Sequence, residues 1–424
     1  MAVESPDQRI RGSVMTASRA AEPDGGTARE TRAARLGSAL GLEPNVVAVS
    51  GAMFAMGLAE NLWHRFLPKY LEQLGAPILA IGLFGTTEDF LDGAYQYPGG
   101  WVADRFGRRS ALLLFISVAA IGYALYWLAP SWPFVFLGLA FAMAWTSMAS
   151  PTLFAVVGDA LPTHKRTMGF TVQSILRRIP IAVAPTIGGL AIATYGVRGG
   201  VRLGLAAAIV IALVTLTVAA RVRIPVVRDA TRINIRDVWR SFPSPLRWLL
   251  TSDVFIRTCD GLVDVFLVLY AMNVIGIGAP QFGVLIAVQM TTAILAYGPA
   301  ARLADRTGRK PFVIATFLAF ALFPVAVVTA RSFAWLVAAF VVGGLRELGE
   351  PARKALILEL VTPALRARSV GLYYLVRSLA IAPAAFIGGL LWRVRPALPF
   401  YIAGAVGLAG VAVFIRTVDE RYAG

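Results

Sequence analysis

Glu60 and His64 lie four residues apart in one apolar stretch, and Asn61 and Arg65 repeat the spacing one position later. Residues i and i+4 share one side of a helix, so this stretch would carry two polar pairs on one face. Glu88, Asp89 and Asp92, followed by Gln96, crowd three carboxylates together, and such groups repel unless some are protonated or paired. Asp260 and Asp264 are again four apart, with Arg257 one turn earlier. Arg346-Glu347-Leu348-Gly349-Glu350-Pro351-Ala352-Arg353-Lys354 places acids and bases three and four residues apart. Arg177, Arg178 and Arg377 add guanidiniums suited to bidentate contact with a carboxylate or phosphate.

These residue types permit proton or cation exchange at Glu60, Asp92, Asp264 and Glu350. Arg177, Arg377, Asn61, His64, Tyr95 and Gln289 could contact an organic solute. Each set has a plainer alternative. Glu60 could form an ion pair that closes a gate, and the acids around Asp92 could pair with Arg377 or a neighbouring arginine. Arg257 could pair with Asp260, and Glu350 with Arg353 and Lys354. The single cysteine, Cys259, excludes an intrachain disulfide and a thiolate cluster. His64 and His164 lie in different segments, so no metal site and no cofactor are expected. No nucleophile–base constellation is present, so the chain is not expected to be an enzyme.

The elements that position these groups are membrane spans. Of the 424 residues, 57% are hydrophobic and only 15% charged, with a mean hydropathy of +0.68, too few charges for a water-facing surface. A helix needs about 20 apolar residues to cross a bilayer. Twelve such stretches read near 46–70, 78–101, 111–129, 133–158, 169–194, 202–220, 248–274, 281–301, 311–330, 333–358, 369–392 and 397–415. The net charge of +16 is spread between the stretches, which argues for topology and anionic-lipid contact and against nucleic acid. Counted on alternate sides, the loops carry twenty basic residues against six, which predicts both termini in the cytoplasm of a plasma or inner membrane.

The predicted organisation has five parts. A disordered tail covers 1–44, a six-helix bundle 45–222, and a basic linker 223–247. A second six-helix bundle covers 248–416 and a short tail 417–424. Within the linker, 231–242 has the apolar-and-basic pattern of a short interfacial helix.

The halves repeat. Tyr97–Arg109 answers Gly298–Lys310 at an offset of 201, and at an offset of 200 Pro151, Asp159, Arg166, Arg177 and Ile187–Leu190 answer Pro351, Glu359, Arg366, Arg377 and Ile387–Leu390. G-x-x-x-D-R-x-G-R-R at Gly100–Arg109 resembles the loop signature of the major facilitator superfamily, and the copy at Ala301–Lys310 sits where that family repeats it. Ala184-Pro185-Thr186-Ile187-Gly188-Gly189 is similar to the helix-packing motif of the family's antiporters, with Ala in the first glycine position. The fourth span carries no arginine, where many proton-coupled members have one.

The resemblance implies an all-α membrane protein whose twelve transmembrane helices form two pseudo-symmetric six-helix bundles, the fold of that superfamily. Gly100, Asp104, Arg105, Gly107, Arg108 and Arg109, with Asp305, Arg306, Gly308 and Arg309, would form a gating latch for the outward-facing state, and Pro185, Gly188 and Gly189 a packing motif. Spans three, six, nine and twelve have no ionisable residue in their interiors and are expected at the periphery. The expected activity is secondary transport of a small solute by alternating access, as a proton-coupled exporter of organic molecules. The alternatives are an organic-anion carrier using Arg177 and Arg377, and a non-transporting receptor that keeps the fold. The expected partners are a small-molecule substrate, protons and membrane lipids; a monomer is expected.

Overall fold

The computed structural model describes residues 44–149, 163–221, 235–361 and 366–418. The tail expected before Pro44 lies outside these residues, as do the first part of the linker and most of the short C-terminal tail. All regular elements among the described residues are helical. Seven of these helices are long and apolar enough to cross a membrane. The remaining spans are interrupted, include more charge, or run into residues that are not described, and together they make up the twelve.

The first span is Pro44–Asn61, a single tight turn at His64–Phe66, and Leu67–Gln73. Pro68 has no N–H to bond the carbonyl one turn back, so the helix cannot run unbroken through His64. Ile78–Phe106 and Arg108–Leu128 form the second and third spans. Trp132–Met143 continues through the wide turn Ala144–Met148 as the fourth. Thr163–Ala219 holds the fifth and sixth, turned at Gly196, whose φ of 72° suits only glycine.

In the second half, Ser244–Gly261, Asp264–Leu269 and Tyr270–Ile275 make the seventh span, Ala279–Thr307 the eighth and Lys310–Thr329 the ninth. Phe333–Leu345 and Glu350–Leu360 make the tenth. Arg366–Ile381 and Ala384–Val394 make the eleventh, and Leu398–Thr417 the twelfth. Pro351 opens the second piece of the tenth span, and Pro383 stands in the break of the eleventh, each a missing donor at an interruption.

Spans one and seven break at equivalent places, after Asn61 and after Gly261. A Cβ on Gly188 would lie 2.0 Å from the Leu62 carbonyl oxygen, and one on Gly388 2.2 Å from that of Leu262. The duplicated Ile-Gly-Gly-Leu thus seats the fifth and eleventh spans on the broken first and seventh.

Exposed apolar side chains occur on the four spans expected at the periphery, and also on others such as the second (Leu83) and the eighth (Leu295). Leu114 and Ile121 on the third span, Val210 and Val214 on the sixth, Leu322 on the ninth and Leu408 on the twelfth are all exposed.

The halves meet along the second span against the eleventh and the fifth against the eighth. Cβ atoms on Gly189 and Gly283 would stand 2.4 and 2.5 Å from the Ala279 and Pro185 carbonyl oxygens, and one on Gly82 2.7 Å from that of Ala385. These approaches cluster at the arginine-poor end, near the loops at Gly75 and Gly276. There Lys69 hydrogen-bonds Asn273 across the halves, and Asn273 donates to Glu72 at 2.7 Å. At the arginine-rich end, Gly100 and Gly298 have open space around them. The structure is therefore closed at the arginine-poor end. The linker helix Ile235–Arg240 lies at the arginine-rich end, with Val238 buried among the second half's side chains and Arg247 over the Trp239 ring.

Candidate functional site

Two carboxylates of the first half, Glu60 and Asp92, meet neutral hydroxyls. Thr146 donates to Glu60 at 2.7 Å, and Ser147 donates to Asp92 at 2.7 Å. Both hydroxyls sit in the wide turn Ala144–Met148, an irregular helical turn of a kind frequent at functional sites. His64 Nε2 lies 2.7 Å from Glu88 Oε1. The Glu60–His64 face expected from i,i+4 spacing does not form, because the helix ends between them. Asn61 turns back on its own helix, donating to the Gly57 carbonyl at 2.8 Å. Tyr95 donates to the Ala140 carbonyl at 3.1 Å, a packing contact within the half. Gln289 is buried where the Gly344 backbone approaches its own carbonyl.

Carboxylates of the second half meet guanidiniums. Arg353 and Asp253, each 1% exposed, lie 2.5 Å apart. Arg353 also grips Glu350 through two nitrogens at 3.0 and 2.8 Å. Arg257 stands 3.7 Å and Lys354 3.5 Å from Glu350. Tyr373 donates to Asp253 at 3.2 Å, and Arg377 reaches it at 3.4 Å while lying over the Tyr374 ring. Arg346 pairs with Asp260 and covers Phe323. The anticipated Glu350–Arg353–Lys354 stripe is present, whereas Arg257 takes Glu350 and not Asp260. A burial this complete around a doubly charged core was not foreseen for Asp253, whose only signal is an acid inside an apolar run.

Two ion pairs cross between the halves at depth. Arg65 lies 3.5 Å from Asp264, and Arg178 lies 2.8 Å from Glu347. Arg177 is exposed on the fifth span and makes no ion pair among the described residues, while Arg377 is held within its own half.

The loop motif has matching geometry in both copies. Gly107 and Gly308 end the second and eighth spans at φ of 85° and 97°. Arg109 donates to the Ala220 carbonyl, Arg309 pairs with Glu359, and Arg105 stacks over Trp101 at 5.3 Å. The side chains of Asp104, Asp305 and Arg306, on which the latch depends, lie outside the described residues.

The family model of the Major Facilitator Superfamily matches residues 49–258 and 249–424. An uncharacterized MFS-type transporter of Methanocaldococcus jannaschii is 21% identical over 377 residues, covering 87% of this chain and 93% of that protein. Multidrug resistance protein MdtG of Citrobacter koseri is 27% identical over 277 residues, covering 62% of this chain and 67% of that protein. The uncharacterized MFS-type transporter YfiU of Bacillus subtilis is 30% identical over 125 residues, 29% of this chain and 24% of that protein's length. Among solved structures, the nucleoside transporter NupG superposes with a TM-score of 0.74 at 14% identity, covering 88% of this chain and all of that one. A POT family transporter in complex with 5-aminolevulinic acid superposes with a TM-score of 0.73 at 14% identity, covering 88% and 95%.

Proposed function

The chain belongs to the Major Facilitator Superfamily, and from that premise we propose that it moves a small organic solute across the membrane by alternating access, driven by protons. Membrane transport is the activity that the family and its structural neighbours support. The proton drive rests on one observation. Glu60 and Asp92, on the first and second spans, are held by hydroxyls and not by cations. A carboxylate that meets a hydroxyl can take up and lose a proton without breaking an ion pair, whereas Glu350, gripped by Arg353, Arg257 and Lys354, is committed to structure. Glu60 and Asp92 therefore carry coupling in this reading. Asp264, bound to Arg65, carries gating, and the glycine-turned loops with Asp104 serve as the latch at the arginine-rich end, placed in the cytoplasm with both termini. The multidrug resistance protein among the relatives supports export of organic molecules.

Flux in proteoliposomes, measured over a panel of organic solutes with and without a pH gradient, tests this. Gradient-driven accumulation is expected to vanish in Glu60→Gln and Asp92→Asn while downhill exchange persists. Accumulation that ignores the gradient, or survives both substitutions, rejects the proton drive. A carrier for organic anions is the second reading, favoured by the buried Nε atoms of Arg257 and Arg377, which have no hydrogen-bond partner among the described residues; saturable uptake of carboxylates lost in Arg377→Gln would select it.

A further inference from the structure

The charges of the seventh, tenth and eleventh spans do not balance. Arg257, Arg353, Lys354 and Arg377 surround only two acids, Asp253 and Glu350. The other described acids of these spans are matched elsewhere: Asp260 by Arg346, Asp264 by Arg65, Glu347 by Arg178 and Glu359 by Arg309. Across the axis, Asp92 accepts from Ser147 and makes no ion pair with Arg377 among the described residues. Four cations against two acids leave two positive charges in surplus, at a depth where uncompensated charge is costly.

The donors are used as unevenly as the charges. Arg353 is fully engaged, with three nitrogens reaching the two acids at 2.5, 3.0 and 2.8 Å. Arg257 and Arg377 each make one long ion pair, at 3.7 and 3.4 Å, and each has a buried Nε with no hydrogen-bond partner among the described residues. Arg257 lies over the Phe320 ring at 5.0 Å and Arg377 over the Tyr374 ring at 4.6 Å. A guanidinium stacked on a ring keeps its N–H edge free for an acceptor in its plane. None of the three outer cations is sealed off. The side chains of Arg257, Arg377 and Lys354 are 25%, 15% and 54% exposed, and a Cβ on Gly371, one turn before Tyr374, would meet nothing within 4 Å.

We propose that Arg257, Lys354 and Arg377 seat an organic dianion. Two negative charges, as a dicarboxylate or a phosphate monoester carries them, complete the cluster and take the unused donors of the two guanidiniums. A singly charged acid leaves one cation uncompensated and a neutral solute leaves two, so selectivity follows from the charge count. The inference gives the anion reading above a charge and a seat, and rests on that reading only for the solute's passage across the membrane. Removing either guanidinium strands no acid, because Glu350 keeps Arg353 and Lys354, and Asp253 keeps Arg353 and Tyr373.

Thermal unfolding of the purified full chain in detergent, at fixed ionic strength and a pH where the dianions are fully ionised, reads binding without any flux. Succinate and phenyl phosphate are the dianionic probes, butyrate and succinamide the singly charged and neutral ones. At least one dianion is expected to raise the melting temperature saturably, with butyrate and succinamide leaving it unchanged. Arg257→Gln and Arg377→Gln are each expected to raise the half-saturating concentration about tenfold, the effect of one lost charged hydrogen bond. Arg257→Lys and Arg377→Lys, which keep the charge, lose less. Stabilisation by neither dianion, equal stabilisation by butyrate, or a response undiminished in both glutamine variants overturns the proposal. Saturable stabilisation without flux of the same dianion in proteoliposomes keeps the seat and rejects the carrier reading. Flux of neutral or cationic solutes with no dianion binding rejects the seat and leaves transport standing.

Discussion

Arg353 shows how much one side chain can commit. It is 1% exposed, pairs with both Asp253 and Glu350, and forms the centre of a cluster that Tyr373 and Arg377 join. Removing one partner of a buried pair strands the other, a cost of about 3–5 kcal/mol, whereas removing both charges together is often nearly neutral. Arg353→Met is therefore expected to lower the melting temperature in detergent sharply, and the double variant Asp253→Asn/Arg353→Met to recover much of the loss. Equal melting of single and parent proteins would show that Asp253 is neutralised some other way. The contrast with Glu60 and Asp92 is one of partner type: guanidiniums fix charge in place, and the hydroxyls of Thr146 and Ser147 leave it free to change.

At the scale of elements, the broken first and seventh spans and the glycines seated on them form one repeated unit. A methyl on Gly188 or Gly388 would meet a backbone carbonyl oxygen at 2.0 or 2.2 Å, and no rotamer can relieve a clash with backbone. Overpacking of this kind costs about 1–3 kcal/mol, enough to shift a conformational equilibrium roughly tenfold. Gly188→Ala and Gly388→Ala are each expected to cut solute flux about tenfold with membrane insertion retained, while Gly51→Ala, which enters open space, leaves flux unchanged. The breaks also decide which polar groups pair. His64 is turned toward Glu88 because the helix stops before it, and Asp264 begins a new helical piece facing Arg65.

At the scale of the whole molecule, the two halves are alike in backbone and unlike in charge. The first half holds Glu60 and Asp92 on hydroxyls, and the second holds Asp253, Asp260 and Glu350 on guanidiniums. Closure at the arginine-poor end rests on glycine-mediated backbone contact, with polar groups contributing at the rim. Asn273 is exposed and Lys69 half-buried, so water partly screens their contact, and exposed contacts of this kind are worth about 0–1 kcal/mol. Lys69→Ala is thus expected to reduce the short-distance population between nitroxide labels at Gln73→Cys and Val274→Cys, both exposed on opposite halves at this end, by less than fivefold, a smaller effect than Gly189→Ala, which places a Cβ 2.4 Å from the Ala279 carbonyl oxygen. A larger effect from Lys69→Ala would move the gate from backbone to side chain.

The amino-acid sequence alone determined the spans and the duplication, because hydropathy and repeated spacing are properties of the chain read in one dimension, whereas the peripheral place of the third, sixth, ninth and twelfth helices came from the family resemblance. The sequence also placed Gly107 and Gly308 in the repeated loop motif, where the structure gives both a positive φ that glycine tolerates. The partners of the charges were decided only by the tertiary structure. Four-residue spacing implied a Glu60–His64 face, yet Pro68 and the break it imposes hand His64 to Glu88. Arg353 finds Asp253 a hundred positions away, and Arg65 finds Asp264 across the halves. Pairing inside a low-dielectric interior depends on which side chains the packed helices bring within about 4 Å, and no periodicity along the chain encodes that distance.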